Sequence, residues 1–241
     1  MQQTPIHDRH NPDLLRMIPH SCKRIVEIGC SSGALAREFK NQNKHAHWIG
    51  IEIDPSYAAL ADRFCDKTIV VDIETCTETF YDSFTDRDCW VFGDTLEHLK
   101  DPWSVLGKIR NVIPPDGSVV VCVPNAQHWS LIVRMAIGDF RYQDSGLLDR
   151  THLRWFTRKT LIEMFNQQGF KIVNGFPRVF KEQASEIFLP LIAGIARANG
   201  SDPDQAIKDA LPIQYVLCAV PSSPLVNVTS TVSKVSELCK A

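Results

Sequence analysis

The chain has 241 residues, with 26 Lys+Arg against 28 Asp+Glu and 44% hydrophobic residues. At roughly 150 residues per domain this predicts one large domain, or one with an appendage, able to bury a core without disulfides or metal. The formal charge of −2 removes the basic field of a nucleic-acid binder, and the longest apolar run, residues 187–196, is about half the roughly 20 residues of a membrane span.

The run RIVEI at 24–28 predicts a buried strand, with a helix over 33–40 behind it. WIGIEI at 48–53 is the second strand, and Pro55 opens a helix over 56–64. TIVV at 68–71 is the third strand and CWVF at 89–92 the fourth, followed by a helix over 102–112. The turn PPDG leads into SVVVCV at 118–123, the fifth and most apolar strand. Continuous apolar strands separated by helices predict a parallel sheet covered on both faces. From 124 to 157 the period is lost while His, Arg, Asp and Trp become dense, which predicts an insertion or lid. A helix over 157–168, N-capped by Thr157 and stopped by Gly169, a strand at 170–173, a helix over 184–198 and a strand at 213–220 complete the pattern. One domain is therefore expected over 1–220, with 221–241 as a loosely held tail.

The opening MQQTPIHDRH lacks the apolar core of a signal peptide, which predicts a cytoplasmic protein. Eight cysteines, none in a C-x-x-C pair, lie largely in strand-like runs and are expected as reduced core thiols.

The loop VEIGCSSGALA joins the first strand to the first helix at the carboxyl end of the sheet, where ligands bind in open α/β folds. Its glycines, Gly29 and Gly33, allow a sharp turn and close approach, and the helix start offers free N–H groups. A dinucleotide fingerprint would need glycine at Ser31, and Glu27 would sit badly beside a diphosphate. Taken alone the loop leaves a plain strand–helix turn open as the lesser reading. Glu52, ending the second strand, is placed to accept from two ribose hydroxyls, and Asp72, ending the third, to take an adenine amine. Together these three features describe an adenosine-containing ligand without phosphates.

With VFGDTLEHLKDPWSVLGKIRNVIPPDGSVVVCVPN following, the chain resembles the class I S-adenosylmethionine-dependent methyltransferases over about residues 20–176. It is similar to the subgroup that includes ubiquinone-biosynthesis enzymes, and the segment from Gly138 to Phe170 resembles methyltransferases found alongside glycosyltransferases. That resemblance implies a three-layer Rossmann-like α/β sandwich, a mostly parallel seven-stranded sheet with the last strand antiparallel and an insertion after strand 5. The implied cofactor is S-adenosyl-L-methionine. Glu27, Gly29, Cys30, Ser31 and Gly33 would form its methionine side, Glu52 and Ile53 its ribose side, and Asp72 and Ile73 its adenine side. Asp94 and Leu96 would lie beside the methionine moiety, with Arg9 and His10 closing over the cofactor.

Methyl transfer is an in-line displacement in which the protein aligns the partners and removes a proton from a hydroxyl acceptor. His98, His128 and His152 stand where such a base is wanted, with His152 and His128 favoured, though each has a structural reading as cap, packed ring or salt-linked group. Trp129, Tyr142 and Trp155 suit stacking on a sugar or aromatic ring, or lid packing. The expected acceptor is a small molecule or sugar precursor methylated on oxygen, with no nucleic acid and no membrane span; a homo-oligomer is open. The alternatives are a non-catalytic cofactor-binding partner module, a metal-assisted RNA methyltransferase and an NAD oxidoreductase. Glu97 and His98 are adjacent, whereas ligands on one helical face need a spacing of three or four, so no metal set is expected.

Overall fold

The computed structural model describes residue 5, residues 8–180 and residues 182–222. Seven strands form one sheet: β1 (Arg24–Ile28), β2 (His47–Glu52), β3 (Lys67–Val70), β4 (Cys89–Gly93), β5 (Ser118–Pro124), β6 (Phe170–Arg178) and β7 (Gln214–Pro221). Their spatial order is β3-β2-β1-β4-β5-β7-β6. Strands β1 to β5 run parallel, and β7 lies antiparallel between β5 and β6. This is the expected α/β fold, with the final strand reversed. Because β1 is flanked by β2 on one side and β4 on the other, the crossovers part there and open a crevice at the carboxyl ends.

The apolar strands follow from burial on both faces. Val119, Val121 and Val123 of β5 pack with Val26, Ile28, Trp90 and Phe92 on one face. Val120 and Cys122 pack with Ile25, Trp48 and Val91 on the other. The seven described cysteines are all buried and unbonded, and Cys239 lies outside the described residues.

Nine α-helices cover the described sheet: α1 (Pro12–Met17), α2 (Ala34–Gln42), α3 (Pro55–Ala61), α4 (Glu78–Asp82), α5 (Pro102–Val112), α6 (Trp129–Ala136), α7 (Arg158–Gln167), α8 (Ser185–Ala198) and α9 (Pro203–Ala210). Four start on one signal: Asn11-Pro12, Asp54-Pro55, Asp101-Pro102 and Asp202-Pro203. In each, a side-chain oxygen accepts a first-turn N–H and proline presets the first helical residue. The signal in α1 and α9 passes unnoticed in the sequence because these helices are too short for their period to stand out. Helix α6 likewise lies inside the segment expected to be aperiodic, where Trp129 stacks on Phe188 of α8 at 5.6 Å. The rest of that segment, residues 125–128 and 137–156, is largely irregular. Of the expected tail, residues 221 and 222 are described, and the rest lies outside the described residues.

Candidate functional site

The turn from β1 to α2 holds three residues in the left-handed region, Gly29 (φ 73°), Ser31 (φ 49°) and Gly33 (φ 74°). A Cβ on Gly29 would stand 2.8 Å from Thr95 Oγ1, so the loop and the end of β4 approach as only glycine allows. A Cβ on Gly33 would stand 2.9 Å from Ala61 Cα, so this glycine seats α2 against α3. Glu52 binds the loop to the end of β2. Its Oε2 accepts from Ser31 N–H at 2.9 Å, and its Oε1 accepts from the N–H groups of Ile53 (2.9 Å) and Asp54 (3.1 Å). Trp48 Nε1 donates to Glu27 Oε2 at 3.0 Å, fixing that buried acid at the end of β1. Burial first, then the neighbouring Cys65, pushes the Glu27 carboxyl well above the usual carboxylate range.

A cleft of about 1140 Å³ runs along the carboxyl ends of the strands. Glu27, Gly29, Cys30, Ser31, Glu52 and Ile53 line its centre, and Asp72 and Ile73 one end. Asp94, Glu97, His98 and residues 145–147 and 149–153 line the other, with Arg9 and His10 along one margin. Three expected site residues are not brought there. Gly33 packs against α3 as above, Leu96 is wholly buried in the core, and His128 is buried as the residue capping α6, its Nδ1 2.8 Å from Ser130 Oγ. Trp129 goes to the α6–α8 packing, and Tyr142 and Trp155 form an exposed cluster with Phe140 outside the cleft lining.

At the far end, a 3-10 turn (Leu96–His98) meets the irregular segment. The N–H groups of Leu153 and Arg154 donate to the Glu97 carbonyl at 2.8 and 2.9 Å, strapping that segment to the turn. His98 and His152 rings stand edge to face with centroids 4.9 Å apart. His98 Nδ1 lies 3.2 Å from the Thr151 carbonyl and 3.0 Å from Thr151 Oγ1, and Thr151 Oγ1 donates to Asp149 Oδ1 at 2.7 Å. Glu97 is 1% exposed, yet neither of its carboxylate oxygens has a partner beyond its own N–H, and His152 Nδ1 has none. One ligand atom from each of Glu97, His98 and His152 lies within 4.8 Å of the others.

Burial, with Asp94 and Asp149 adding, drives the Glu97 carboxyl well above its ordinary range. Burial also lowers His98, and together with the His98 charge it lowers His152 to about 4. Both rings are therefore neutral near pH 7. Asp94 is anchored by Gln214 Nε2, and its N–H donates to the Cys122 carbonyl at 2.9 Å. Thr151 escapes a reading of the sequence, which also gives Asp149 no role in the site and sets Glu97 aside. The adjacency that argues against Glu97 and His98 as ligands holds for an α-helix; here the turn is 3-10 and the third side chain arrives from a loop.

A family model described as a methyltransferase domain matches residues 8–174. Among curated proteins, the chain is 27% identical over 169 residues to a ubiquinone biosynthesis O-methyltransferase of Rhodopseudomonas palustris strain HaA2, covering 70% of this chain and 63% of that protein. A second such enzyme, of strain BisA53, is 26% identical over 116 residues, covering 48% and 45%. The chain thus spans between about half and two thirds of these relatives. Among solved structures, an S-adenosylmethionine-dependent methyltransferase from Mesorhizobium loti superposes with a TM-score of 0.56 at 15% identity, covering 87% of this chain and 96% of that one. Magnesium protoporphyrin IX methyltransferase from Synechocystis PCC 6803, with bound SAH, gives 0.55 at 11% identity, covering 87% and 78%. At these identities the structures speak to the fold.

Proposed function

The chain belongs to the methyltransferase-domain family of class I S-adenosylmethionine-dependent enzymes, and from that premise we propose that it methylates an oxygen of a small-molecule acceptor. The observation that carries this reading is a single cleft with two chemically different ends, acids on the strand ends and neutral imidazoles beyond them. S-adenosylmethionine, when bound, supplies the methyl group from its sulfonium. The lining fits it: Glu27, Glu52, Asp72 and Asp94 suit amino and hydroxyl groups, and Ser31 carries a side chain where a diphosphate would need bare glycine.

In this reading Glu52 holds the ribose, Asp72 and Ile73 frame the adenine, and Glu27 and Asp94 face the methionine end. A cationic ligand beside Glu27 would favour its ionised form and so oppose the upward shift that burial imposes on its carboxyl. His98 and His152 present their neutral rings to the acceptor, and the strap from Glu97 to Leu153 and Arg154 keeps them in place. Alignment of acceptor and methyl can supply roughly 7–11 kcal/mol of barrier lowering, so the residues here need only orient and deprotonate. The test is a methyl-transfer screen with labelled cofactor against nucleotide sugars and quinol precursors, with S-adenosylhomocysteine binding measured in parallel. Transfer to a hydroxyl is expected. Transfer confined to a nitrogen or a protein acceptor overturns the oxygen assignment.

A further inference from the structure

We propose that the outer face of α8 pairs, antiparallel and about a two-fold axis, with the same helix of a second copy of this chain.

The first observation is the unequal covering of α8. Its inner face is spent within the chain: Ile192, Ala193 and Ala196 are buried, and Ile192 packs in a small cluster with Trp129 of α6 and Ala210 of α9. The outer face is also apolar, yet uncovered. Ile187, Leu191 and Ile195, spaced four apart and so on one face, are 68%, 62% and 63% exposed. The exposed Ala184 and Ala198 extend this stripe at its two ends. No charge falls between Glu186 and Arg197. Scattered exposed aliphatics are ordinary, but a helix that is apolar on both faces is one made to be covered on both.

Gly194, on the margin of the stripe, is the second observation. Only proline is worse in a helix interior, and a Cβ here would meet nothing within 4 Å. No contact within the chain therefore calls for glycine. A second helix laid against the face does, because a missing side chain lets two backbones approach closely.

Charge selects the occupant. Glu186 and Arg197 lie three turns apart, which brings both to the same flank of the stripe. In an antiparallel pair centred near Leu191, each Glu186 meets the second copy's Arg197, Ile187 meets Ile195, and Leu191 meets its own counterpart. Parallel copies would set Glu186 against Glu186. A two-fold contact has to be self-complementary, and this face is so only in the antiparallel sense. A lipid surface would instead call for a helix rich in Lys and Arg, whereas α8 carries one basic residue balanced by one acid.

A pair of 14-residue helices buries a small area, so a dissociation constant of about 1–100 µM is expected. Sedimentation velocity of the full chain across that range, and to about threefold above it, reads the mass directly. Circular dichroism and S-adenosylhomocysteine binding are measured on the same samples. The wild type should pass from monomer to dimer. L191E sets two carboxylates face to face on the axis and should weaken association about a hundredfold, with fold and S-adenosylhomocysteine binding unchanged. G194L should weaken it about tenfold without loss of helix. E186R and R197E should each weaken it about fivefold, and the double variant E186R/R197E should recover it, which no other occupant of the face would produce. If L191E does not fold, G194L and the charge reversals give the same readout. A wild type that stays monomeric throughout, or a dimer indifferent to L191E and G194L, overturns the proposal. So does a dimer that the double reversal fails to restore. Flotation of a monomeric wild type with phosphatidylcholine vesicles, lost in L191E, assigns the face to lipid and overturns the pairing as well.

Discussion

The two ends of the cleft treat their buried polar groups in opposite ways. At the glycine-loop end every acid is matched from within: Trp48 donates to Glu27, three backbone N–H groups donate to Glu52, and Glu74 N–H donates to Asp72. At the far end Glu97 is buried with both carboxylate oxygens unmatched by any other residue, and the half-buried His152 has its inaccessible Nδ1 unmatched. The first end is a finished scaffold that a ligand completes by adding bonds. The second carries an unfavourable arrangement that folding alone does not explain, and such arrangements concentrate where a ligand is to be taken.

That contrast is sharpest at Glu97. Glu97→Met replaces an unmatched acid with an apolar chain of similar length, so the urea unfolding midpoint should hold or rise, while methyl transfer falls by about a thousandfold. A stability loss beyond about 1 kcal/mol would show that the acid is a satisfied structural group and erase the difference between the two ends. Glu52→Ala should do the reverse. It strips the acceptor from three N–H groups, each bond to a charged group contributing roughly 1.5–3 kcal/mol before water replaces it. A net loss of about 2 kcal/mol is expected, with S-adenosylhomocysteine affinity reduced about a hundredfold by calorimetry. Retained affinity would remove Glu52 from the ribose.

The same contrast decides what the sequence could reveal. The glycine loop, Glu52 and Asp72 lie at the ends of successive strands, so apolar runs followed by an acid mark them without tertiary knowledge. Glu97 and His152 are 55 positions apart and meet only because Leu153 and Arg154 hydrogen-bond to the Glu97 carbonyl. No periodicity encodes that strap. Three expected residues lie outside the cleft lining for a related reason: His128, Leu96 and Gly33 are close in sequence to cleft-lining residues, but the turn geometry sends their side chains, or the missing one, into packing instead. Short helices such as α6 and α9 were hidden by length, although Asp202-Pro203 carries a start signal as plain as that of Asp54-Pro55.

A smaller effect is expected at Gly29, whose backbone serves the matched end. Gly29→Ala puts a Cβ 2.8 Å from Thr95 Oγ1 at a φ of 73°. The left-handed conformation alone costs a side chain roughly 1–2 kcal/mol, so S-adenosylhomocysteine binding should weaken about tenfold as the loop shifts to relieve it. Unaltered binding would mean that the loop conformation is not what the cofactor recognises.

His128 supplies the smallest effect and a control on the whole comparison, because it is a buried histidine that belongs to neither end. Burial lowers its pKa to about 4. Between the unfolded-state value of about 6.5 and that folded value, the unfolded chain binds a proton that the native chain refuses. Native stability therefore falls as pH drops from about 6.5 toward 4, and this contribution is constant above that window. His128→Asn removes the group, so the acid limb of stability against pH should become shallower, other buried groups keeping their own share. The lost Ser130 contact should lower stability at pH 7 by about 1 kcal/mol. Methyl transfer at neutral pH should be unchanged, since the ring does not reach the cleft. A turnover defect with intact S-adenosylhomocysteine binding would bring His128 back as an acceptor-side residue and require the capping turn of α6 to open toward the cleft.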